Sequence, residues 1–393
     1  MEIDGGSSHS WADLPEELLE MIRQRLDSRI DVYRFRAVCT SWRSSTSLFY
    51  KQSPRVPLEL PEPIRAHAYL SPVTICRVEL VDDSEDSSSS SSMAWLTKVE
   101  ESTYGDIQLL VPVSNRQLRT NSSGIMPKML SSLNLLNFRL VEITKACSLK
   151  PASGSLHGIN KVVLLPSSTN RNTNEYGVLA IFHEGKLGYW RFDEEEWKFI
   201  DETNFHYDDI IVYRGQAYVV DRWGTVYWID SSLNLIQYSP PLYGCGSQKS
   251  LVESDGDFYV VDRFFDGERR TWNDELHSDV AHPYRYLPIC QAKTVSIKVY
   301  KLDEEWGTWV NISSLGDKVF VLGNECSFSV SAKEFSGREG NCIYFIDPFD
   351  ASRHGELRGR DARVYDLSSG RISKVANFPG HSCMLWPPSN FYC

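Results

Sequence analysis

The chain has 393 residues, enough for two or three domains, and its 41% hydrophobic and 24% charged residues exclude wholesale disorder. A net charge of −11 argues against general binding to a nucleic-acid backbone, which needs clustered Lys and Arg. Aromatics are abundant at 12%, with 11 Trp and 19 Tyr.

The first residues, Met1 to Asp13, lack a basic region followed by an apolar core, so no secretory signal is expected. No run approaches the ~20 apolar residues of a membrane helix. Nine Cys (Cys39, Cys76, Cys147, Cys245, Cys290, Cys326, Cys342, Cys383 and Cys393) are scattered, with no CxxC pair. They read as free thiols in the nucleus or cytoplasm, not as a disulfide frame or a zinc site. On that reading the sequons at Asn121 and Asn311 are chance matches.

Residues 10–50 are helical in pattern. Leu14, Leu18, Leu19, Ile22 and Leu26 follow the period of one helix face. Asp13 is placed to cap this helix, with Pro15 in the first turn and Glu16 and Glu17 at the positive end of its dipole. Asp31 starts a second helix through Val32, Phe35 and Val38, and Thr40 or Ser41 caps a third that carries Trp42. Three such short helices need a partner surface. They either cap the following domain or pack against another protein.

The run Leu14-Pro15-Glu16-Glu17-Leu18-Leu19, then Ile22, Leu26, Asp31, Arg34, Arg36, Val38-Cys39 and Trp42-Arg43, resembles an F-box. The resemblance implies docking on a Skp1-type adaptor and, through it, on a cullin-RING ubiquitin ligase. It implies an adaptor-binding set of Leu14, Pro15, Leu18, Leu19, Ile22, Leu26, Val38, Cys39 and Trp42. Leu19, Phe35 or Val38 can instead be internal packing of the module.

Residues 51–63, with Pro54, Pro57, Pro61 and Pro63, read as a linker. From 64 to 393 the pattern is all-β. Strands are expected at 162–165, 178–182, 217–220, 225–229, 258–261, 295–300, 319–322 and 343–346. A unit recurs: Gly215-Gln-Ala-Tyr218-Val219-Val220-Asp221, Gly256-Asp-Phe-Tyr259-Val260-Val261-Asp262, and Gly340-Asn-Cys-Ile-Tyr344-Phe345-Ile346-Asp347 with one extra residue. A second unit of aromatic, hydrophobe and Asp stands at Trp190–Asp193, Trp228–Asp230, Tyr300–Asp303 and Tyr365–Asp366. Each reads as a hairpin around a tight turn. Together they predict a β-propeller of roughly six or seven blades after the small all-α module, because one such sheet cannot bury its faces alone. A pair of β-sandwiches is the competing architecture.

This stretch also resembles a plant family of F-box proteins with a kelch-like C-terminal region, known as domain of unknown function 295. The resemblance lies in Trp95-Leu96-Thr-Lys-Val99-Glu100, Leu109-Leu110-Val-Pro112-Val113-Ser114, Tyr207-Asp208-Asp209-Ile210-Ile211-Val-Tyr213 and the Tyr-Val-Val-Asp copies. It implies a substrate-recognition subunit but no particular target.

Two further segments stand out. The acidic, Ser-rich run at 82–92 reads as a solvated loop open to acid-directed phosphorylation. An insertion at 263–293 mixes Phe264, Phe265, Arg269, Arg270, Trp272, Tyr284 and Tyr286, the composition of interface hot spots, and is expected to contribute to substrate capture or to pack back on the blades.

No catalytic, cofactor or metal site is expected. His277, Asp279 and His282 lack a known metal spacing. Gly154-Ser155-Leu156-His157-Gly158 has Leu where a nucleophile elbow needs Ser. No P-loop or dinucleotide fingerprint is present. Asp208-Asp209 reads as a turn pair, and Arg358, Arg360 and Arg363 as a solvated turn. A propeller lectin or glycosidase, with carboxylates from distant blades, and a scaffold that binds the adaptor without degrading a target remain the alternative functions.

Overall fold

A computed structural model of the chain describes residues 11–26, 29–46, 58–61, 68–80, 94–101, 107–113, 138–151, 159–166, 176–182, 185–191, 194–201, 206–244, 246–266, 293–335, 339–347, 362–375 and 384–385. The chain divides into two compact units, residues 1–58 and 59–393.

The first unit holds α1 (Glu16–Arg23), α2 (Arg29–Ala37) and α3 (Thr40–Ser45), preceded by a 3-10 turn at Trp11–Asp13. Leu19, Phe35 and Trp42 form its core, and Leu14, Ile22, Leu26 and Cys39 pack around them half-buried. The Phe35 and Trp42 rings lie 4.6 Å apart. The indole Nε1 of Trp42 donates to the Trp11 carbonyl at 2.9 Å, which ties the 3-10 turn to α3. Asp13 does not cap α1. Pro15 is the N-cap residue, and its carbonyl accepts from the Leu18 and Leu19 amides. The second helix begins at Arg29, two residues before Asp31.

In the second unit, the described strands form five sheets. The first contains β1 (Leu58–Leu60), β2 (Ala68–Leu80), β3 (Ala94–Glu101), β4 (Ile107–Leu110) and β5 (Phe138–Pro151). The second is β6 (Ile159–Pro166), β7 (Tyr176–Phe182), β8 (Leu187–Arg191) and β9 (Lys198–Phe199). The third is β10 (Tyr207–Tyr213), β11 (Gln216–Asp221), β12 (Val226–Ile229) and β13 (Leu235–Gln237). The fourth is β14 (Gln248–Ser254), β15 (Asp257–Phe265), β16 (Thr294–Asp303) and β17 (Thr308–Ile312). The fifth orders as β19 (Ser327–Ser331), β18 (Lys318–Leu322), β20 (Cys342–Phe345), β21 (Arg363–Asp366) and β22 (Arg371–Lys374).

These sheets are the blades of a five-bladed propeller. Apolar side chains join the second blade to the third, the third to the fourth, and the fourth to the fifth. A larger cluster joins the fifth to the first through Ile75, Leu96, Val321 and Phe328, and with β5 of the first blade against β6 of the second the ring is closed. The expected six or seven blades become five because the 41-residue step between the first two copies of the repeat holds for one blade only. Elsewhere the connections are longer: β4 ends at Leu110 and β5 begins at Phe138, and β15 ends at Phe265 and β16 begins at Thr294. The aromatic excess sits partly at the seams. Phe258 of the fourth blade packs on Tyr213 and Tyr218 of the third at 5.1 and 4.7 Å, and Tyr259 meets Phe320 of the fifth at 5.2 Å.

Six of the eight expected strands fall inside strands of the propeller, and the ranges 225–229 and 343–346 each run one residue beyond β12 and β20. Two copies of the first repeat open with two-residue hairpins, Arg214-Gly215 and Asp255-Gly256, in which both residues have positive φ. That is the type I′ signature, where glycine in second place carries no Cβ penalty. The third copy differs because β20 pairs in parallel with β18, so no hairpin precedes it, and Asn341 takes the positive φ. The Asp of the second unit serves a turn: Asp230, Asp303 and Asp366 each accept backbone amides two residues on.

The Asp that closes the first repeat is buried in every copy, with a different partner each time. Asp221 accepts from the Trp223 and Thr225 amides at 2.9 Å. Asp262 pairs with Lys249 at 3.0 Å, both side chains fully buried. Asp347 accepts from the Thr294 amide and hydroxyl and faces Arg263 and Arg363. Arg363 is therefore half-buried in an ion pair, not in a solvated turn.

Asp208 and Asp209 also depart from expectation. They lie in β10 at a bulge, not in a turn. Asp209 pairs with Lys161 of the second blade and accepts from the Leu251 amide of the fourth at 2.8 Å, so one carboxylate bridges three blades. Asp208 accepts from the Lys249 amide at 3.0 Å. The proline-rich linker ends earlier than read: Leu58–Leu60 is a strand, Leu60 is buried, and the Pro61 carbonyl accepts from Trp197 Nε1 at 3.2 Å.

Burial raises the Asp221 pKa to about 6, and the neighbouring Asp208 charge adds to this against the two amides that hold the carboxylate. A carboxyl raised in the fold is favourable below its unfolded pKa and loses that contribution as pH rises through the folded value. Asp221→Asn should equal the wild type near pH 4 and be more stable near pH 7, by up to about 3 kcal/mol. Denaturant titration of both proteins across that range checks it; a constant difference would show that Asp221 does not titrate in the fold.

Candidate functional site

On α1 the apolar residues divide between two faces. Leu19 is buried, and Leu14, Ile22 and Leu26 are half-buried against α2 and α3. Leu18 and Met21, three residues apart on the opposite side, are 44% and 54% exposed. Pro15 is exposed before them. Val38, at the end of α2, is 51% exposed and Trp11 is 74% exposed. Of the nine expected adaptor residues, the structure thus places Leu19 and Trp42 inside the module and leaves Pro15, Leu18 and Val38 at its surface. Val38 is not internal packing. Met21 and Trp11 were not singled out from sequence. Met21 shares the period of Leu18, which was the available signal.

Cys39 has a local task. It is the N-cap of α3, where Thr40 or Ser41 was expected, and its Sγ accepts from the Trp42 amide at 3.5 Å. Sulfur is a weak acceptor, so Cys39→Ser should keep the cap and Cys39→Ala should remove it, costing about 0.5–2 kcal/mol. Hydrogen exchange of the α3 amides distinguishes the two; equal protection would assign the cysteine to packing alone.

In the propeller the innermost strands β5, β6, β10 and β19, with Glu253 of β14, surround a cavity of about 410 Å³. Its walls are mainly apolar, including Ile143, Val162, Leu164, Ile210, Val212 and Phe328. Of the charged lining residues, Lys161 pairs with Asp209, and Glu325 accepts from Lys98 at 2.9 Å and from Ser148 at 3.4 Å. Cys147 and Cys326 also line it, and burial pushes both thiols up to about 12, so they stay protonated. Among the described residues the lining carboxylates are Glu253, which accepts from the Gly256 amide, and the engaged Glu325, and no Trp stands beside them. Glycoside hydrolysis requires two facing carboxyl groups free to act on a sugar.

The expected capture segment is placed differently at its start. Arg263, Phe264 and Phe265 belong to β15. Phe265 is buried beneath the Arg263 guanidinium, and Phe264 is half-buried with Lys298 Nζ 5.3 Å from its ring centre. Packing within the sheet occupies both rings. Arg269, Arg270, Trp272, Tyr284 and Tyr286, like the Ser-rich run at 82–92, lie outside the described residues.

Residues 68–366 match the family model described as KIB1-4 beta-propeller, and residues 11–52 match the model described as F-box-like. The Arabidopsis thaliana F-box protein At1g65770 is 35% identical over 352 residues, 86% of this chain and 89% of its own length. F-box protein SKIP23 of the same plant is 28% identical across 96% of this chain and 94% of its own. At1g65740 is 32% identical across 93% and 94%.

Proposed function

Since this chain belongs to the KIB1-4 β-propeller family and carries an F-box-like module at its N-terminus, we propose that it is the substrate-recognition subunit of a Skp1-cullin-F-box type ubiquitin ligase. The exposed side chains Leu18 and Met21 carry the reading, because they remain outside a helical module whose own core is already filled by Leu19, Phe35 and Trp42. An apolar helix face of this kind fits a partner helix. In this reading Pro15 and Val38 flank the contact, and half-buried Leu14, Ile22, Leu26 and Cys39 shape it from beneath.

The propeller holds the target, and the chain itself makes and breaks no bond. Its contribution is proximity: a bound target presents its lysines to the charged conjugating enzyme at high effective concentration. A nuclear or cytoplasmic setting fits the five described cysteines, all of which are thiols.

Proximity labelling in plant cells, with and without proteasome inhibition, tests the whole reading. Targets should accumulate near the wild-type chain under inhibition and not near a variant that cannot dock the adaptor. Labelled partners whose abundance is indifferent to inhibition and to docking would favour a non-degradative scaffold and overturn the ligase role.

A further inference from the structure

The chemistry that the propeller would recognise can be read at one rim of its axial cavity. Tyr213 ends β10 and lines the cavity, and the next residue is Arg214, at the tip of the type I′ hairpin with φ of 50°. The turn turns this side chain back over its neighbour: the guanidinium carbon lies 4.9 Å from the Tyr213 ring centre. Tyr213 is itself held edge-on by Phe258 of the adjacent blade, at 90°. The guanidinium is therefore stacked and exposed, and among the described residues it has no ion-pair partner. The nearby acids have other tasks, since Glu253 accepts from the Gly256 amide and Asp255 pairs with Lys318.

Beside this arginine the cavity is apolar. Val212, next in the same strand, is 37% exposed although it sits on the innermost strand of its blade. Ser329, which lines the cavity from the fifth blade, accepts a hydrogen bond from Ser254 of the fourth at 2.8 Å. Two charged lining residues are already engaged, Lys161 with Asp209 and Glu325 with Lys98. A volume of 410 Å³ lies within the range of about 300–1,000 Å³ typical of ligand pockets.

We infer that the axial cavity and Arg214 together bind a short acidic segment of a target protein. One apolar side chain of the segment enters between β5, β6, β10 and β19, and a carboxylate one or two residues away forms a forked pair with the Arg214 guanidinium. A planar guanidinium already stacked on an aromatic ring loses little freedom on binding, and its fork matches a carboxylate. The inference rests on the propeller being the target-binding part of a receptor, and it names the kind of sequence that part selects.

A phage-displayed library of random heptapeptides, panned on the full-length chain, tests it. The expected consensus is one large apolar residue next to Asp or Glu. Arg214→Asn keeps the positive φ, which Asn tolerates, so the hairpin should fold; it should bind a synthetic consensus peptide at least tenfold more weakly. Val212→Trp, which fills the cavity, should abolish binding. Failure to enrich any peptide, a consensus without an acid, or unchanged binding by Arg214→Asn would each overturn the inference. Adaptor co-purification, measured on the same variants, separates that failure from failure of the receptor role, because neither substitution lies in the helical module.

Discussion

Leu18→Ala with Met21→Ala should release the adaptor while leaving the helical module folded. Both side chains are about half exposed in this chain, so a partner helix could bury what remains of each. At roughly 1.5–3 kcal/mol for complete burial of such a side chain, removing the exposed half of two gives about 1.5–3 kcal/mol, or roughly 10- to 160-fold in affinity. Leu19→Ala should behave differently although it is the adjacent residue. It opens a cavity against Phe35 and Trp42, costs about 2–5 kcal/mol of folding, and should expose the amides of residues 16–45 to hydrogen exchange. Co-purification with a Skp1-type adaptor, paired with exchange measurements, checks both outcomes. If the double variant retained full adaptor binding with native protection, the face carrying Leu18 and Met21 would not be the docking face.

Glu325→Ala should destabilise the propeller by about 3–5 kcal/mol, because it removes the carboxylate that pairs with the fully buried Lys98 ammonium at the junction of the fifth and first blades. This junction closes the ring, so its loss should act on the whole domain. Lys98→Met with Glu325→Leu should recover most of the loss, since an apolar pair carries no desolvation cost. An exposed pair provides the contrast: Asp257→Ala breaks its contact with Lys301, whose side chain is 36% exposed, and should cost under about 1 kcal/mol. Denaturant unfolding of the four proteins ranks these effects. A Glu325→Ala loss no larger than that of Asp257→Ala would mean that solvent reaches the buried pair.

Much of the architecture was legible because its causes are local. A Tyr-Val-Val-Asp run after a Gly turn reports strand, hairpin and strand, and the positive φ at Gly215 and Gly256 explains why glycine stands there. The Asp that follows a strand in Tyr300–Asp303 or Tyr365–Asp366 reports an Asx turn for the same reason. Blade number was not legible, since connection lengths vary and the fifth sheet pairs β18 with β20 in parallel, an adjacency set by space and not by order in the chain. The same limit hid the site. Nothing near Arg214 in sequence says that Phe258 will wedge Tyr213 beneath it, and nothing near Glu325 names Lys98 as its partner.

The helical module shows where the division falls. Its sequence alone determined that short amphipathic helices form, that they need a partner surface, and that a strand-rich repeat domain follows. Only the tertiary structure decided which of those residues face inward: Leu19 turns to Phe35 and Trp42, whereas Leu18 and Met21 do not. Periodicity identifies an apolar helix face, but packing against α2 and α3 chooses how much of it is covered. In the propeller, likewise, the repeats specify blades one at a time, and the buried charges that hold blade to blade are paired by closure of the ring.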